Sequence, residues 1–253
     1  MFLTVVDEKT GIATVTLNKL PVNTLNLEFL ESLRDQIKKL KNENVRGMIL
    51  TSGLKNVFSA GLDLKEFHEP DPTRLAKFWS TLQETWIELY LTPFPTAAVI
   101  NGHSPAGGCL LAMSCDYRVM VEPKYTIGLN ETQLGIVAPK WFMDTMIAVI
   151  GQRNTEISLA TGKMYTAQEA LKIGLIDDSA PDRDSALAKG VDFLNRFKNI
   201  SQWAFRSTKE MIRRPTVQWL LDNKNEDLEF IMDYMQSSRV QKSIGLYLQS
   251  LKK

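Results

Sequence analysis

The fold of this chain is decided by the stretch Thr96–Glu131, whose sequence is TAAVINGHSPAGGCLLAMSCDYRVMVEPKYTIGLNE. It begins with an apolar, β-type run over Thr96–Ile100 that enters a short polar loop. At Gly107-Gly108 the chain turns into an apolar segment typical of a buried helix, and Tyr117–Val121 has the pattern of a buried strand. This order predicts a strand, a glycine turn, a helix and a returning strand.

The start of that helix and a carboxylate further along the chain form a candidate site. A helix that opens on glycines presents unpaired N–H groups and the positive end of its dipole, which favour a developing negative charge. Glu131 is a lone carboxylate between Asn130 and Thr132, within a predicted pocket-lining loop over Thr126–Gly135. An anion pocket beside one carboxylate has the parts needed to move a proton next to a carbonyl group.

The composition excludes several classes of protein. The chain has 253 residues, is 44% hydrophobic and 23% charged, and carries a net charge of +1. These values are typical of a globular fold, and the dispersed basic residues give no nucleic-acid footprint. No apolar run reaches the roughly twenty residues of a membrane span. Cys109 and Cys115 match no zinc or redox motif, so we expect buried free thiols and no metal site.

A second strand and glycine turn precede the first. Gly47–Thr51 is a short apolar strand, and Phe58–Leu64 supplies a glycine turn and a predicted helix start. Two such units predict a parallel sheet with crossover helices. Upstream, residues 3–7 and 12–18 predict an antiparallel hairpin, and Asn26 is the expected N-cap of an amphipathic helix.

The remaining segments complete the predicted order. Glu66–Arg74 is polar with two prolines and is expected to be a mobile surface loop before a helix over Leu75–Tyr90. Thr166 and Glu169 fit a capping box, and Gly174–Asp177 is expected to be the last short strand. The C-terminal part is predicted to be helical over Asp184–Phe197, Gln202–Arg214 and Thr216–Lys252.

Two simpler interpretations compete with a site at the glycine turns. Single glycine turns are usually structural, and neither turn follows the GxGxxG or GxxxxGK patterns of nucleotide binding. A lone glutamate such as Glu131 is more often a surface or capping residue. His103 and Ser104 suggest a Ser–His hydrolase, but adjacent residues do not face each other easily, and a GxSxG elbow is absent.

Three motifs together resemble the enoyl-CoA hydratase/isomerase (crotonase) family. They are FSAGLDLKEF at Phe58–Phe67, INGHSPAGGCLLAMSCDYRVM at Ile100–Met120 and IGLNETQLGI at Ile127–Ile136. With the N-terminal hairpin and TAQEALKIGLID at Thr166–Asp177, the resemblance covers nearly the whole chain. It implies an α/β fold built as a crotonase-like spiral of ββα units followed by a C-terminal helical region.

The resemblance also implies a domain division and an assembly. Residues 1–190 would form the spiral core, and residues 191–253 the helical region that packs on the core or at a trimer interface. The expected assembly is a homotrimer or a dimer of trimers, without a nucleic-acid partner or a membrane span. The resemblance further implies the mitochondrial matrix, with a transit segment already removed; the C-terminal SLKK is not the peroxisomal SKL signal.

The resemblance implies an acyl-CoA thioester as the substrate and no cofactor. The thioester oxygen would be held by the backbone N–H groups of Leu62 and Gly107, and Glu131 would be the catalytic carboxylate. The implied substrate-binding residues are Val22, Ser59, Ala60, Gly61, Asp63, Leu64, Leu110 and Asn130. The CoA moiety would lie along the Pro21–Asn23 loop and the Ser59–Leu64 turn, and Lys252 or Lys253 is a candidate for a CoA phosphate.

Leu110 is where the sequence departs from the hydratase members of the family. Hydratases carry a second glutamate directly after the GGC of this motif, and both glutamates act on water. Leucine at this position removes a water ligand and makes the site more apolar, which should raise the pKa of Glu131. One carboxylate suffices to carry a proton between two carbons of one substrate.

The expected activity is therefore the shift of a double bond from 3-cis- or 3-trans-enoyl-CoA to 2-trans-enoyl-CoA in fatty-acid β-oxidation. Glu131 would carry the proton from C2 to C4. The alternatives are enoyl-CoA hydration or CoA-ester hydrolysis within the same superfamily, and a non-catalytic member that binds acyl-CoA or RNA. The near-zero net charge and the presence of Glu131 argue against the non-catalytic alternative.

Overall fold

A computed structural model describes residues 2–43 and 45–250 of the chain. Its strands are β1 (Phe2–Val6), β2 (Ile12–Leu17), β3 (Gly47–Ser52), β4 (Asn56–Val57), β5 (Thr96–Ile100), β6 (Gly102–Pro105), β7 (Tyr117–Val121), β8 (Thr126–Gly128), β9 (Tyr165–Thr166) and β10 (Asp178–Ala180). Its α-helices are α1 (Leu27–Asn42), α2 (Pro72–Tyr90), α3 (Gly107–Ser114), α4 (Lys140–Thr161, kinked at Gly151), α5 (Ala167–Ile173), α6 (Arg183–Asn195), α7 (Gln202–Asp222), α8 (Lys224–Gln236) and α9 (Ser238–Ser250). Short 3-10 helices cover Leu64–Glu66 and Glu131–Leu134.

The larger sheet has six strands in the order β1-β2-β3-β5-β7-β10. β1 pairs with β2 antiparallel, and every other pair in this sheet is parallel. β3, β5 and β7 are buried along their whole length, which explains why their sequences are continuous apolar runs without alternation. The predicted hairpin and the predicted parallel sheet with crossover helices are confirmed.

A second sheet, in the order β4-β6-β8-β9, was not predicted. β6 lies in the segment that we expected to be a loop after Ile100, and β8 lies inside the expected loop Thr126–Gly135. Both expectations were wrong because these strands are very short, and β6 (GHSP) also lacks residues with strand preference, so neighbouring segments decide their conformation. At Gly102 a side chain would overlap the backbone of Val57, and glycine therefore permits β4 and β6 to pair.

The segment Glu66–Arg74 is also different from the expected surface loop. Glu66 and Phe67 are buried, and α2 already begins at Pro72. The burial of a charged residue is possible because the Glu66 carboxylate accepts hydrogen bonds from Leu27 N at 3.1 Å and from Arg74 Nη2 at 2.7 Å. Glu66 thus caps a free N–H group at the N-terminus of α1.

Two boundaries in the C-terminal half were misplaced. The last strand is β10, since the pairing with β7 starts at Asp178; Gly174–Asp177 connects it to α5. α7 continues through Pro215, where we expected a break. Met211, one turn earlier, is exposed, so water can reach the carbonyl that has lost its N–H donor at Pro215.

Several local predictions are confirmed. The side chain of Asn26 caps α1 by accepting from Phe29 N at 3.2 Å, and the predicted apolar face of that helix is buried. Thr166 forms the capping box of α5 with Glu169. Cys109 and Cys115 are free and buried.

Buried charges attach the C-terminal helix α7 to the core. Asp116 follows α3, and its carboxylate lies 2.8 Å from Lys209 Nζ and 2.8 Å from Arg213 Nη2, both on α7. Burial lowers the pKa of Lys209 to about 8, against the opposing effect of Asp116. α6 packs on β5 and β7. The domain boundary expected after residue 190 falls inside this helix.

We expect Asp116→Asn to destabilise the protein strongly. The substitution leaves the buried cations of Lys209 and Arg213 without a counter-charge, and breaking a buried pair in this way costs about 3–5 kcal/mol of unfolding free energy. Urea unfolding measures the loss. The matched control is Asp35→Asn, because Asp35 forms an exposed pair with Arg34 and such pairs contribute about 1 kcal/mol at most. Equal losses in the two variants would contradict a structural role for the cluster.

Candidate active site

A cavity of about 650 Å³ opens between the glycine turn within Phe58–Leu64, the start of α3 and the C-terminal helices. Seven of the predicted site residues line it: Val22, Ala60, Leu62, Asp63, Leu64, Asn130 and Glu131. The other four, Ser59, Gly61, Gly107 and Leu110, lie behind its surface and are buried. The cavity therefore gathers residues from segments more than one hundred positions apart in the chain.

The backbone N–H groups of Leu62 and Gly107 are close neighbours. A Cβ built on Gly107 would lie 3.3 Å from the Leu62 nitrogen, and one built on Gly61 would lie 3.2 Å from the Gly107 nitrogen. Leu25 pairs with the residues on both sides of Leu62, through Gly61 O at 2.9 Å and Asp63 N at 3.1 Å. In the described part of the chain neither N–H group donates to a protein acceptor. Together they form a two-donor anion site.

Close backbone packing brings these two segments together. A Cβ on Gly108 would lie 2.6 Å from the Ser59 carbonyl oxygen, so only glycine allows this approach. Gly61 has a φ of 83°, in the region that favours glycine. Ser59 Oγ accepts from Gly61 N at 3.2 Å and donates to Asn23 O at 2.8 Å. The hydrogen bonds of Ser59 and the positive φ of Gly61 therefore stabilise the conformation of this turn.

Asn23 is a supporting residue that sequence reasoning missed. It is fully buried, and its Nδ2 donates to Ser52 Oγ at 2.9 Å and to Phe58 O at 3.0 Å. Its Oδ1 accepts from Lys19 N at 2.7 Å. Asn23 has a φ of 50°, a conformation that asparagine tolerates better than most residues, and this was the available signal in the Pro- and Asn-rich loop.

Glu131 is the buried carboxylate of the cavity. It is the first residue of the 3-10 helix Glu131–Leu134 and is only 6% exposed. Burial raises the pKa of Glu131 to about 7, in the direction expected from the sequence. Its Oε2 atom has no hydrogen-bond partner among the described residues. A carboxyl group with this pKa and a free oxygen suits a general base near neutral pH.

Both buried apolar residues and polar side chains belong to the surroundings of the Glu131 site. Leu110 is buried near the start of α3. Burial raises the pKa of the adjacent Cys109 thiol, and the negative charge of Glu131 raises it further. The Asn130 side chain reaches the cavity, and its Oδ1 atom is buried without a partner in the described ranges. Asp63 is occupied in capping Lys65 N at 3.2 Å.

His103 and Ser104 do not form a catalytic pair. They are successive residues of β6, so their side chains point to opposite faces. His103 is exposed and its Nδ1 lies 3.1 Å from Thr126 Oγ1, whereas Ser104 is buried. Within residues 2–43 and 45–250, no cluster of three acidic, histidine or cysteine side chains could hold a metal ion, and no helix is long and apolar enough to cross a membrane.

Two lysines contribute to the cavity lining, Lys19 and Lys65. Lys19 Nζ donates to Thr24 O at 2.8 Å, which holds it beside the loop Pro21–Asn23. Burial lowers the pKa of Lys19. The sequence-based candidates Lys252 and Lys253 lie outside the described residues.

The C-terminal helices supply a wall that the sequence did not predict. Ile231 and Met235 from α8, and Tyr247 and Leu248 from α9, line the same cavity as the glycine turn segments. Their apolar spacing is the same as that of ordinary core positions, so no local signal marked them.

Comparison with known proteins defines the class of protein. The enoyl-CoA hydratase/isomerase family model matches residues 7–253, and the chain belongs to this family. The mitochondrial enoyl-CoA delta isomerase 1 of Mus musculus is 41% identical over 244 residues, 96% of this chain and 84% of that protein. Its Homo sapiens counterpart is 39% identical over 248 residues, 97% of this chain and 82% of that protein.

Solved structures agree with this assignment. The crystal structure of human mitochondrial delta3-delta2-enoyl-CoA isomerase matches with a TM-score of 0.96 and 38% identity, over 99% of this chain and 98% of that one. An enoyl-CoA hydratase from Bacillus halodurans has the same fold, with a TM-score of 0.87 and 22% identity over 97% of this chain and 99% of that one. The predicted family and the predicted crotonase-like fold are confirmed.

The buried Glu131 carboxylate should lower stability as it ionises. Its pKa is higher in the folded than in the unfolded chain, so stability falls as pH rises from about 4.5 to about 7. We expect Glu131→Gln to be more stable than the wild type at pH 8, by up to about 3 kcal/mol. The difference should disappear near pH 4, where the Glu131 carboxyl group is largely protonated in both the folded and the unfolded chain.

Urea unfolding at several pH values measures this difference. Glu8→Gln is the matched control, because Glu8 is exposed on the turn between β1 and β2. A Glu131→Gln variant that is no more stable than the wild type at pH 8 would show that folding does not raise the pKa of this carboxyl group.

Proposed function

We propose that this protein is an isomerase that converts 3-cis- and 3-trans-enoyl-CoA to 2-trans-enoyl-CoA in fatty-acid β-oxidation. The observation that carries the proposal is one buried carboxylate, Glu131, whose Oε2 has no hydrogen-bond partner among the described residues and which lines the same cavity as Leu62, one of the two donors of the anion site. The relatives named enoyl-CoA delta isomerase, at about 40% identity over nearly the whole chain, support the same reaction. The reaction needs no cofactor, since the proton that leaves one carbon returns to another.

The first part of the proposed mechanism is activation of the thioester. Its oxygen accepts hydrogen bonds from Leu62 N–H and Gly107 N–H, the second of which stands at the positive end of α3. Loss of a C2 proton places negative charge on this oxygen in the dienolate. Fixed donors stabilise such charge without reorganising, and one donor contributes about 2.7–4 kcal/mol to lowering a barrier of this kind.

The second part is the proton transfer. Glu131 removes a proton from C2, and its protonated form returns a proton to C4, which moves the double bond to C2–C3. A pKa of about 7 balances the two half-reactions, because the group must accept and release a proton readily. Asn130 is proposed to orient the carboxylate or the substrate. Leu110 is proposed to disfavour hydration, because its apolar side chain cannot hold a water molecule as a second carboxylate would.

We expect Glu131→Gln to lower isomerisation of 3-trans- and 3-cis-hexenoyl-CoA by about 10²–10⁴-fold, because the amide cannot act as a base. In the wild type, kcat/KM should rise with pH up to about 7 and then level off, as the carboxyl group loses its proton. Hydration of 2-enoyl-CoA, followed by loss of the enoyl absorbance, should be negligible.

The control for this experiment is Glu8→Gln, which should retain wild-type turnover. Unchanged isomerisation in Glu131→Gln would move the base to another residue. Dominant hydration, or release of free thiol, would favour the hydratase or hydrolase alternative, and no turnover by the wild type would favour a non-catalytic acyl-CoA-binding protein.

The CoA moiety is proposed to lie along Pro21–Asn23 and the Ser59–Leu64 turn. Lys19 and Lys65 border these segments in the cavity lining and place positive charge where the CoA phosphates would lie. We expect Lys19→Met and Lys65→Met each to raise KM by roughly threefold to tenfold with little change in kcat, since each removes an attraction equal in ground and transition states. Initial rates over a range of substrate concentrations separate KM from kcat.

A matched lysine lies outside the cavity. Lys55 is exposed after β3, and Lys55→Met should behave as the wild type. The effects at Lys19 and Lys65 should shrink in high salt, because salt screens exposed charges. A lowered kcat at unchanged KM would argue against phosphate contacts.

The assembly and location are also proposed. Trp203, Met211 and Ile212 of α7 are 77%, 77% and 73% exposed, more apolar surface than one helix usually shows to water. This supports a homotrimer that uses the helical region. The names of the mitochondrial relatives support a mitochondrial location, and β-oxidation chemistry favours the matrix.

A further inference from the structure

One buried carboxylate joins three helices around the cavity and has no role in the proposed proton transfer. Asp227 of α8 is 6% exposed, and no cation pairs with it in the described part of the chain. Its Oδ2 atom accepts hydrogen bonds from Trp79 Nε1 at 2.7 Å, Gln83 Nε2 at 2.7 Å and Trp141 Nε1 at 3.3 Å. Three neutral donors thus satisfy one buried charged oxygen.

The three helices that meet at Asp227 also form the apolar wall of the cavity. Trp79 itself lines the cavity from α2, and Phe142, next to Trp141, lines it from α4. Ile231 and Met235 line it from α8, at one and two turns after Asp227 and therefore on the same helix face. The Asp227 carboxylate therefore connects the three helices that carry this wall.

Aromatic packing makes the wall around Trp79 rigid. The Trp79 ring meets the Phe67 ring edge to face at 6.3 Å and the Trp141 ring at 6.1 Å. All three rings are almost completely buried. Hydrogen bonds to a charged acceptor are stronger than those to a neutral one, so the indole of Trp79 has little freedom to move aside.

The cavity has a polar and an apolar part. Lys19, Asp63 and Lys65 belong to the part proposed for CoA, whereas Phe67, Trp79, Phe142, Ile231 and Met235 belong to the helical wall. Glu131 and Leu62 contribute the reacting centre to the same cavity. An acyl tail that leaves this centre is driven to the apolar wall by removal of its methylene groups from water.

We infer that Trp79 limits the length of the acyl chain and that Asp227 is the positioning residue that holds Trp79 in this role. The inference rests on the proposed function, because it takes an acyl-CoA as the occupant of the cavity. It assigns the selection of chain length to a hydrogen-bonded carboxylate outside the reacting centre.

Trp79→Phe tests the limit directly. The smaller ring leaves space in the wall, and one methylene in an apolar pocket changes selectivity by about 10–200-fold. We expect the ratio of kcat/KM for 3-dodecenoyl-CoA to that for 3-hexenoyl-CoA to rise about tenfold. The measurement is the initial rate over a series of chain lengths.

Trp86→Phe is the matched control. Trp86 is buried seven residues further along α2, contacts the Trp141 ring at 5.1 Å and does not line the cavity. It should lose stability as a core substitution does while its chain-length ratio stays at the wild-type value. An unchanged ratio in Trp79→Phe, or an equal change in Trp86→Phe, would overturn the inference.

Two substitutions test Asp227 separately. Asp227→Asn keeps a carbonyl oxygen that can accept from Trp79 Nε1, and the chain-length ratio should stay near that of the wild type. Asp227→Leu removes the acceptor, releases the indole and should raise the ratio as Trp79→Phe does. A uniform loss of rate for all chain lengths in Asp227→Leu would mean that Asp227 only stabilises the fold, and that result would overturn its positioning role.

Binding measurements separate this inference from the proposed function. Calorimetric titration with saturated hexanoyl-CoA and dodecanoyl-CoA needs no turnover. If the wild type binds both esters but isomerises no 3-enoyl-CoA, the proposed function fails, while a shift of relative affinity toward dodecanoyl-CoA in Trp79→Phe still supports the length limit. Isomerisation without any change of relative affinity or rate in Trp79→Phe would leave the function standing and overturn the limit.

Discussion

The structure depends on one close contact between backbones, that of the Ser59 carbonyl with Gly108. A side chain at this point would lie 2.6 Å from the carbonyl oxygen, so the contact exists only because α3 opens on glycine. It brings the N–H groups of Leu62 and Gly107 together, from segments more than forty residues apart in the sequence. Backbone donors fixed in this way cannot be displaced by rotation of a side chain, which suits stabilisation of a developing charge.

The same packing that forms the anion site places Glu131 in an unfavourable environment. Burial raises its pKa to about 7, and no described residue hydrogen-bonds its free oxygen. A well-solvated glutamate would be a weak base, so the free energy lost from stability provides the basicity that the proposed reaction needs. Elsewhere in the molecule, the ion cluster of Asp116, Lys209 and Arg213 anchors α7 to the segment that follows α3.

Buried charge serves different purposes in different parts of this molecule. Asp116 is neutralised by two cations, and Asp227 accepts hydrogen bonds from neutral N–H donors, whereas one oxygen of Glu131 has no partner among residues 2–43 and 45–250. How fully each buried carboxylate is compensated follows its proposed role. Asp116 is paired with cations and anchors a helix, and Asp227 accepts directional hydrogen bonds that place an indole. Glu131 is compensated least, which suits proton transfer.

Local patterns in the sequence determined the buried parallel strands, the capped helices and the two glycine turns, because hydrophobic periodicity and cap chemistry act over a few residues. They also pointed to Glu131 and to the glycine start of α3, and the resemblance of three motifs to a known family added Leu62 and Gly107 as the candidate donors. Only the tertiary structure decided the second sheet, the burial of Glu66, the role of Asn23 and the cavity wall from α8 and α9. These features arise from contacts between distant segments, and neither β-propensity nor an amphipathic pattern states which partner a residue will meet.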